Sequence, residues 1–213
     1  MGCTLNMDRW TVFLLLLVVG HFPGVGWATP RQLVEFSAEV TRSDATHPEL
    51  PSSGMMYVGH DGIRTESHQN NQPVWMIFKP DSKRVWTVFP KQQAYMERAG
   101  LSLEWPPLPE DENSPCRNKK FRCKKMGNAN FDNRSTVHWS VDFVDEKGES
   151  PYAQLWVDPR LNIAIRETYA DGLTVEMHHI REGSQPAHLF ELPSGYQKVV
   201  LPAPPPPSGG ATK

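Results

Sequence analysis

Apolar and polar residues alternate along much of this chain. Val34, Phe36, Ala38 and Val40 are apolar, while Glu35, Ser37, Glu39 and Thr41 between them are polar. A period of two places each set on its own side of an extended backbone, so the stretch reads as a strand with one wet face. The same pattern runs through Val137, Trp139, Val141 and Phe143, and again through Leu173, Val175 and Met177. Shorter strands are expected at Gly54–His60, Ile63–His68, Val74–Lys79, Arg84–Phe89, Ala94–Glu97, Tyr152–Asp158 and Ile163–Tyr169. His60-Asp61-Gly62 and Ala170-Asp171-Gly172 carry the Asp-Gly signal of a tight hairpin, and turn chemistry recurs at Glu146–Glu149 and Asp158–Asn162. No segment carries a sustained helical stripe, and Lys91–Gly100 has room for a helical turn or two. The chain is therefore expected to be all-β to β-dominated, a meander of antiparallel hairpins.

The hairpin PVWMIFKPDSKRVWTVF, from Pro73 to Phe89, departs from simple alternation because both of its faces are apolar. With Lys79 opposite Arg84, one face carries Val74, Met76, Phe78, Val85, Thr87 and Phe89. The other carries Trp75, Ile77, Trp86 and Val88. Two uses fit: a central strand pair buried on both sides, or a wall of Trp75, Ile77, Trp86 and Val88 lining an apolar cavity. A single sheet must also cover its apolar face with something. The segment Arg98–Pro115 (RAGLSLEWPPLPEDENSP) is the candidate, because Leu101, Leu103 and Trp105 sit among four prolines that spoil both strand and helix. It is expected to lie over the sheet as an irregular plug, adding Leu101, Leu103 and Trp105 to the apolar wall.

The ends of the chain set its compartment. Arg9 precedes the ten-residue run Trp10–Val19, and Gly26 and Ala28 supply small residues before Thr29. That is the layout of a secretory signal peptide cleaved after Ala28; a spanning helix needs about 20 apolar residues. A single domain is expected over residues 29–200, and the Pro- and Gly-rich residues 201–213 form a disordered tail. The mature chain is expected to be exported without a stable membrane anchor: periplasmic, or secreted if the source is not Gram-negative.

The formal charge is −2, and the leader removes one residue of each sign, Asp8 and Arg9. Such a balance gives no footprint for nucleic acid. One local exception is Arg117–Lys125 (RNKKFRCKK), where Arg117, Lys119, Lys120, Arg122, Lys124 and Lys125 are basic. It reads either as a solvated loop balanced by Glu110-Asp111-Glu112 or as a seat for anionic lipid headgroups.

Cys116 and Cys123 are the cysteines left after the leader, and in an oxidising compartment they are expected to form a disulfide. Their spacing is too wide for a redox C-x-x-C, and no histidine lies between Gln69 and His138. His178 and His179 should point to opposite faces of a strand, and His188 falls in a loop, so no metal site is expected. The sequon Asn133-Arg134-Ser135 matters only in a eukaryotic source. Neither a nucleophile elbow nor paired carboxylates on an aromatic platform occurs. Asp81, Asp158 and Glu167 have ordinary turn and strand-face explanations. No cofactor and no catalytic residue are expected.

Several runs, in order, resemble the periplasmic lipoprotein-carrier (LolA/LolB-like) superfamily: VEFSAEV, GMMYVGHDGIRTES, VWMIFKPDSKRVWTVFP, AQLWVDPRLNIAIRET and LFELPSGYQKV. The resemblance implies an antiparallel meander curved into a half-open barrel whose concave face holds helices or, in carriers, acyl chains. Here the irregular or short helical plug would take the place of those helices. With the unclosed apolar strand surface, it implies a non-catalytic exported protein binding a lipid or the acyl chain of an acylated protein. The alternative is a sensor or scaffold module that binds an envelope protein partner.

Overall fold

The computed structural model describes residues 33–47, 52–100, 114–116 and 118–200. The leader and its cleavage point, residues 101–113 of the insert, Arg117 and the tail lie outside the described residues, and so does the expected start of the domain.

Twelve strands follow one another: β1 (Phe36–Asp44), β2 (Ser52–Gly59), β3 (Gly62–Gln69), β4 (Gln72–Lys79), β5 (Arg84–Phe89), β6 (Ala94–Ala99), β7 (Phe121–Phe131), β8 (Arg134–Asp145), β9 (Gly148–Asp158), β10 (Ile163–Tyr169), β11 (Leu173–Glu182) and β12 (Gln197–Lys198). They form one sheet in the order β12-β6-β5-β4-β3-β2-β1-β11-β10-β9-β8-β7. Every pairing is antiparallel except that of β12 on β6. The end strands β12 and β7 do not meet, so the sheet is a half-open barrel rather than a closed one.

The hairpin register is the expected one, with Lys79 opposite Arg84 and Ile77 opposite Trp86. Lys91–Gly100 carries the expected strand, Ala94–Glu97, lengthened to Ala99. Its helical content is a 3-10 turn at Pro90–Gln92, where proline opens the turn, and the chain then extends as β6. Strand β7 was not expected at all. Its sequence FRCKKMGNANF lacks apolar alternation because it is the last strand of the sheet and stands largely in solvent. It turns into β8 through Asp132 and Asn133, both at positive φ (47° and 61°), a conformation these two residues tolerate.

The sheet curls at this end. Three strands separate β7 from β11, a span of about 19 Å in a flat sheet at the usual strand spacing. Yet the Phe131 ring lies 5.4 Å from that of His178, and Asp132 accepts the His179 backbone N–H at 2.9 Å. The short β9–β10 hairpin makes the closure possible, because β8 and β11 extend past its tip. Asp158 closes that tip, accepting the N–H groups of Arg160 (2.8 Å) and Leu161 (3.1 Å) and pairing with Arg134. A carboxylate 2% exposed and so fully engaged is structural. One core cluster lies here: Phe36, Ala38, Val58, Leu161, Ile165 and Met177.

The expected disulfide joins Cys116 to Cys123 of β7, with Cα atoms 5.7 Å apart.

Candidate functional site

The double-faced hairpin β4–β5 divides the candidate site in two. On one face, Ile77 and Val88 are 0% exposed and pack against Phe190, also 0% exposed. Phe190 arrives from the 3-10 turn Ala187–Phe190, where His188 also sits, rather than in the loop expected for it. Leu189, Leu192, Tyr196, Tyr57, Trp75, Trp86 and Tyr95 complete the cluster. Full burial of each such side chain contributes about 1.5–3 kcal/mol. The wall expected from the sequence is therefore closed at Ile77 and Val88, and what closes it is the C-terminal segment of the same chain. Leu101, Leu103 and Trp105, expected to share that wall, lie outside the described residues.

Polar contacts pin the covering segment down. Arg64, 7% exposed, donates from Nη1 to the Leu189 carbonyl at 3.2 Å and from Nε to Glu66 at 2.8 Å. Its guanidinium also lies 3.9 Å from the centre of the Trp75 ring, so a buried charge is paired on every side. Trp86 donates its Nε1–H to Glu97 at 2.9 Å, and the same carboxylate takes Lys198 of β12 at 2.8 Å. Those two bonds, Lys198 first, hold the Glu97 carboxyl below its ordinary range. Burial, with Glu66 nearby, pushes the Tyr57 phenol up. Gly59 is the one residue that fits under Phe190, since a Cβ there would meet the ring at 2.7 Å.

The opposite face is built differently. Registers place Ala38, Met56, Thr65, Met76, Thr87 and Met96 in one row across β1 to β6. Above and below lie Phe78, Val85 and Val74, all buried. Met76, in the middle, is 50% exposed and belongs to neither buried cluster, whereas Met56 packs against the first. Met56, Met76 and Met96 recur twenty residues apart. That period, the combined length of two strands and two turns, was readable in the sequence and was missed. Methionine is unbranched and adaptable, which suits a surface meeting apolar matter of variable shape.

The basic run takes a third position. Lys119 and Lys120 stand in the turn before β7, and Arg122, Lys124 and Lys125 on β7; all are exposed. Arg122 pairs with Glu149. Arg117 lies outside the described residues.

His178 and His179 do not simply oppose each other. His179 sits at φ 51° in a bulge, and the two rings are 6.5 Å apart. His178 faces Asp132 and Glu176, and His179 faces Glu39. Among the described residues no group of three or more His, Cys, Asp or Glu is arranged to hold a metal ion. Among them, too, no helix is long and apolar enough to cross a membrane.

No family model and no curated protein matches the sequence. Solved structures do. An uncharacterized conserved protein from Thermus thermophilus aligns over 79% of this chain and 91% of its own, with a TM-score of 0.52 and 10% identity. The chain shares the half-open, antiparallel-sheet fold of that protein. The LolA superfamily protein NE2245 from Nitrosomonas europaea is similar over 76% of this chain and 91% of its own (TM-score 0.31, 10% identity). MucB in the MucA/MucB complex of Pseudomonas aeruginosa is similar over 74% of this chain at TM-score 0.47 and 15% identity. This chain spans 54% of the length of that protein. At 10% identity the likeness to the Thermus thermophilus protein is one of fold alone.

Proposed function

We infer that this is a non-catalytic exported binding protein. Its ligand is apolar, the acyl chain of a lipid or of an acylated protein, and it lies along the row Met56, Thr65, Met76, Thr87 and Met96. The observation that supports this most is Met76, half exposed in the middle of a sheet face whose other large side chains are buried. Burial of an acyl chain yields about 0.8 kcal/mol per methylene, so a chain of modest length suffices for useful affinity. Of the wall expected from the sequence, Trp75 and Trp86 keep partial exposure and border the ligand path at most, because Phe190 covers Ile77 and Val88. The leader, the single domain 29–200 and the periplasmic location belong to the same reading.

Native mass spectrometry of protein purified without detergent tests it. Co-purified lipid, or uptake of a fatty acid after delipidation that Met76→Glu abolishes, is the expected outcome. Delipidated protein that takes up neither fatty acid nor phospholipid sinks the proposal. The second reading, a module that binds a protein partner, draws on the filling of the Trp75 face by Phe190. An apolar peptide that protects Met76 from oxidation, with no lipid bound, would favour it.

A further inference from the structure

Strand β7 combines two features that seldom occur together by accident. Most of the cations on it and in the turn before it form no ion pair among the described residues, and its exposed side chains include apolar ones. Among the described residues no ion pair is formed by Lys119, Lys120, Lys124 or Lys125, whereas Arg122 is matched by Glu149. The register shows what stands across from these residues. Arg122 lies opposite Asp142, but Lys124 lies opposite Ser140 and Lys125 opposite Trp139, so no carboxylate stands across from either lysine. The exposed carboxylates of this end, Asp145, Glu146 and Glu149, gather at the β8–β9 turn beside Arg122.

The apolar part lies at two places along the strand. The β7–β8 register shifts between Lys125 and Gly127, and the extra residue is Met126, 52% exposed. A bulge on an end strand re-aims its side chain outward. Five residues back along the strand, toward the β8–β9 turn, Phe121 packs on Tyr152 (ring centres 4.8 Å apart) and Phe143 (5.7 Å), and Tyr152 is 41% exposed. The disulfide from Cys116 to Cys123 fixes the preceding loop against this strand.

Lysines on an end strand commonly guard a sheet against edge-to-edge pairing. That role accounts for the charges and not for the company they keep. A half-exposed methionine between the lysines and the glycine, and an aromatic cluster with one wet tyrosine, work against a guard. Together they match the chemistry of a bilayer interface: cations for anionic headgroups, tyrosine at headgroup level, and an apolar side chain below.

We propose that the free edge of β7, with Lys124 and Lys125 on its two sides, Met126 at the bulge, and Lys119 and Lys120 in the turn before it, docks on an anionic phospholipid bilayer. The formal charge of the whole chain is −2, so the attraction is local to this strand and steeply dependent on salt. This docking does not rest on the apolar-ligand reading, and either can fail without the other.

The test is vesicle flotation of the protein purified without detergent. Vesicles of phosphatidylcholine alone are compared with vesicles carrying about one-third phosphatidylglycerol. The expected result is binding to the anionic vesicles at low salt, little binding to neutral ones, and release as salt rises. Each basic residue near such a surface changes partitioning about fivefold, so Lys124→Glu with Lys125→Glu should lower it by an order of magnitude or more. Lys119→Glu with Lys120→Glu, in the turn, serves as a second variant should the strand pair disturb folding, and near-UV circular dichroism monitors both. Met126→Ser should weaken binding several-fold with the salt dependence unchanged. Equal binding to neutral and anionic vesicles, or wild-type binding by both charge-reversed pairs, overturns the proposal. Capture by polyglutamate beads without any vesicle binding also overturns it, in favour of an acidic protein surface. Unaltered binding by Met126→Ser overturns the insertion of that side chain.

Discussion

The two faces of the β4–β5 hairpin are made of similar material and end up in opposite states. Beneath Phe190 the face of Ile77 and Val88 is sealed, while around Met76 the other face keeps half of a large apolar side chain in solvent. Composition does not separate them, since tryptophan, isoleucine and valine on one side are matched by phenylalanine, methionine and valine on the other. What separates them is the path of the chain after β11. Gly183 donates to the Glu35 carbonyl at 2.9 Å, the 3-10 turn drops Phe190 over Gly59, and Val199 returns to the sheet by donating to Tyr95 at 2.8 Å. A sheet face becomes core where a segment is pinned across it or the sheet curls over itself, so greasiness by itself does not locate a ligand.

The largest effect should come from removing the pin. Phe190→Ala leaves a cavity over Ile77 and Val88 and should cost about 3–5 kcal/mol of stability by urea denaturation. A loss under about 1 kcal/mol would show that the covering segment is only loosely applied, and the two faces would cease to differ. Next comes the disulfide. Replacing Cys116 and Cys123 by serine should cost about 2–3 kcal/mol on the chain-entropy account of a short loop, without altering the exposure of Met76 to peroxide. Met76→Glu should move stability by less than about 1 kcal/mol, as for a solvent-facing side chain, while abolishing apolar-ligand uptake. Large destabilisation by that variant would mean Met76 is core after all.

The smallest effect concerns pH. Glu97 has a carboxyl held below its ordinary value by Lys198 and Trp86. The stabilisation is present above the ordinary glutamate range and is lost as pH falls through the lowered value. Amide exchange at Val199 should therefore quicken in that acidic window and stay level near neutrality. The variant Glu97→Gln should remove the pH step.

Much of the fold was legible, because alternation and turn residues act locally. The register around Pro80–Lys83 followed from the sequence once Lys79 was set opposite Arg84. Strand β7 was not legible, since an end strand in solvent needs no apolar face, and its Lys and Asn residues resemble a loop. The site was half legible. Both apolar faces were visible in Trp75, Met76 and Ile77, but the choice between them lay in Phe190, more than one hundred residues away in sequence. Nothing local to HLF, from His188 to Phe190, marks it as a cover. Gly59 was the available hint, a glycine where a strand would otherwise place a side chain. The recurrence of Met56, Met76 and Met96 was another, visible only when strands are laid side by side.

The most direct test of the contrast is photolabelling with a diazirine-bearing fatty acid, followed by peptide mapping. Open and sealed faces predict crosslinks to Met56, Met76 or Met96 and none to Ile77, Val88 or Phe190. Labelling centred on Ile77, Val88 and Phe190, with the methionines untouched, would contradict it.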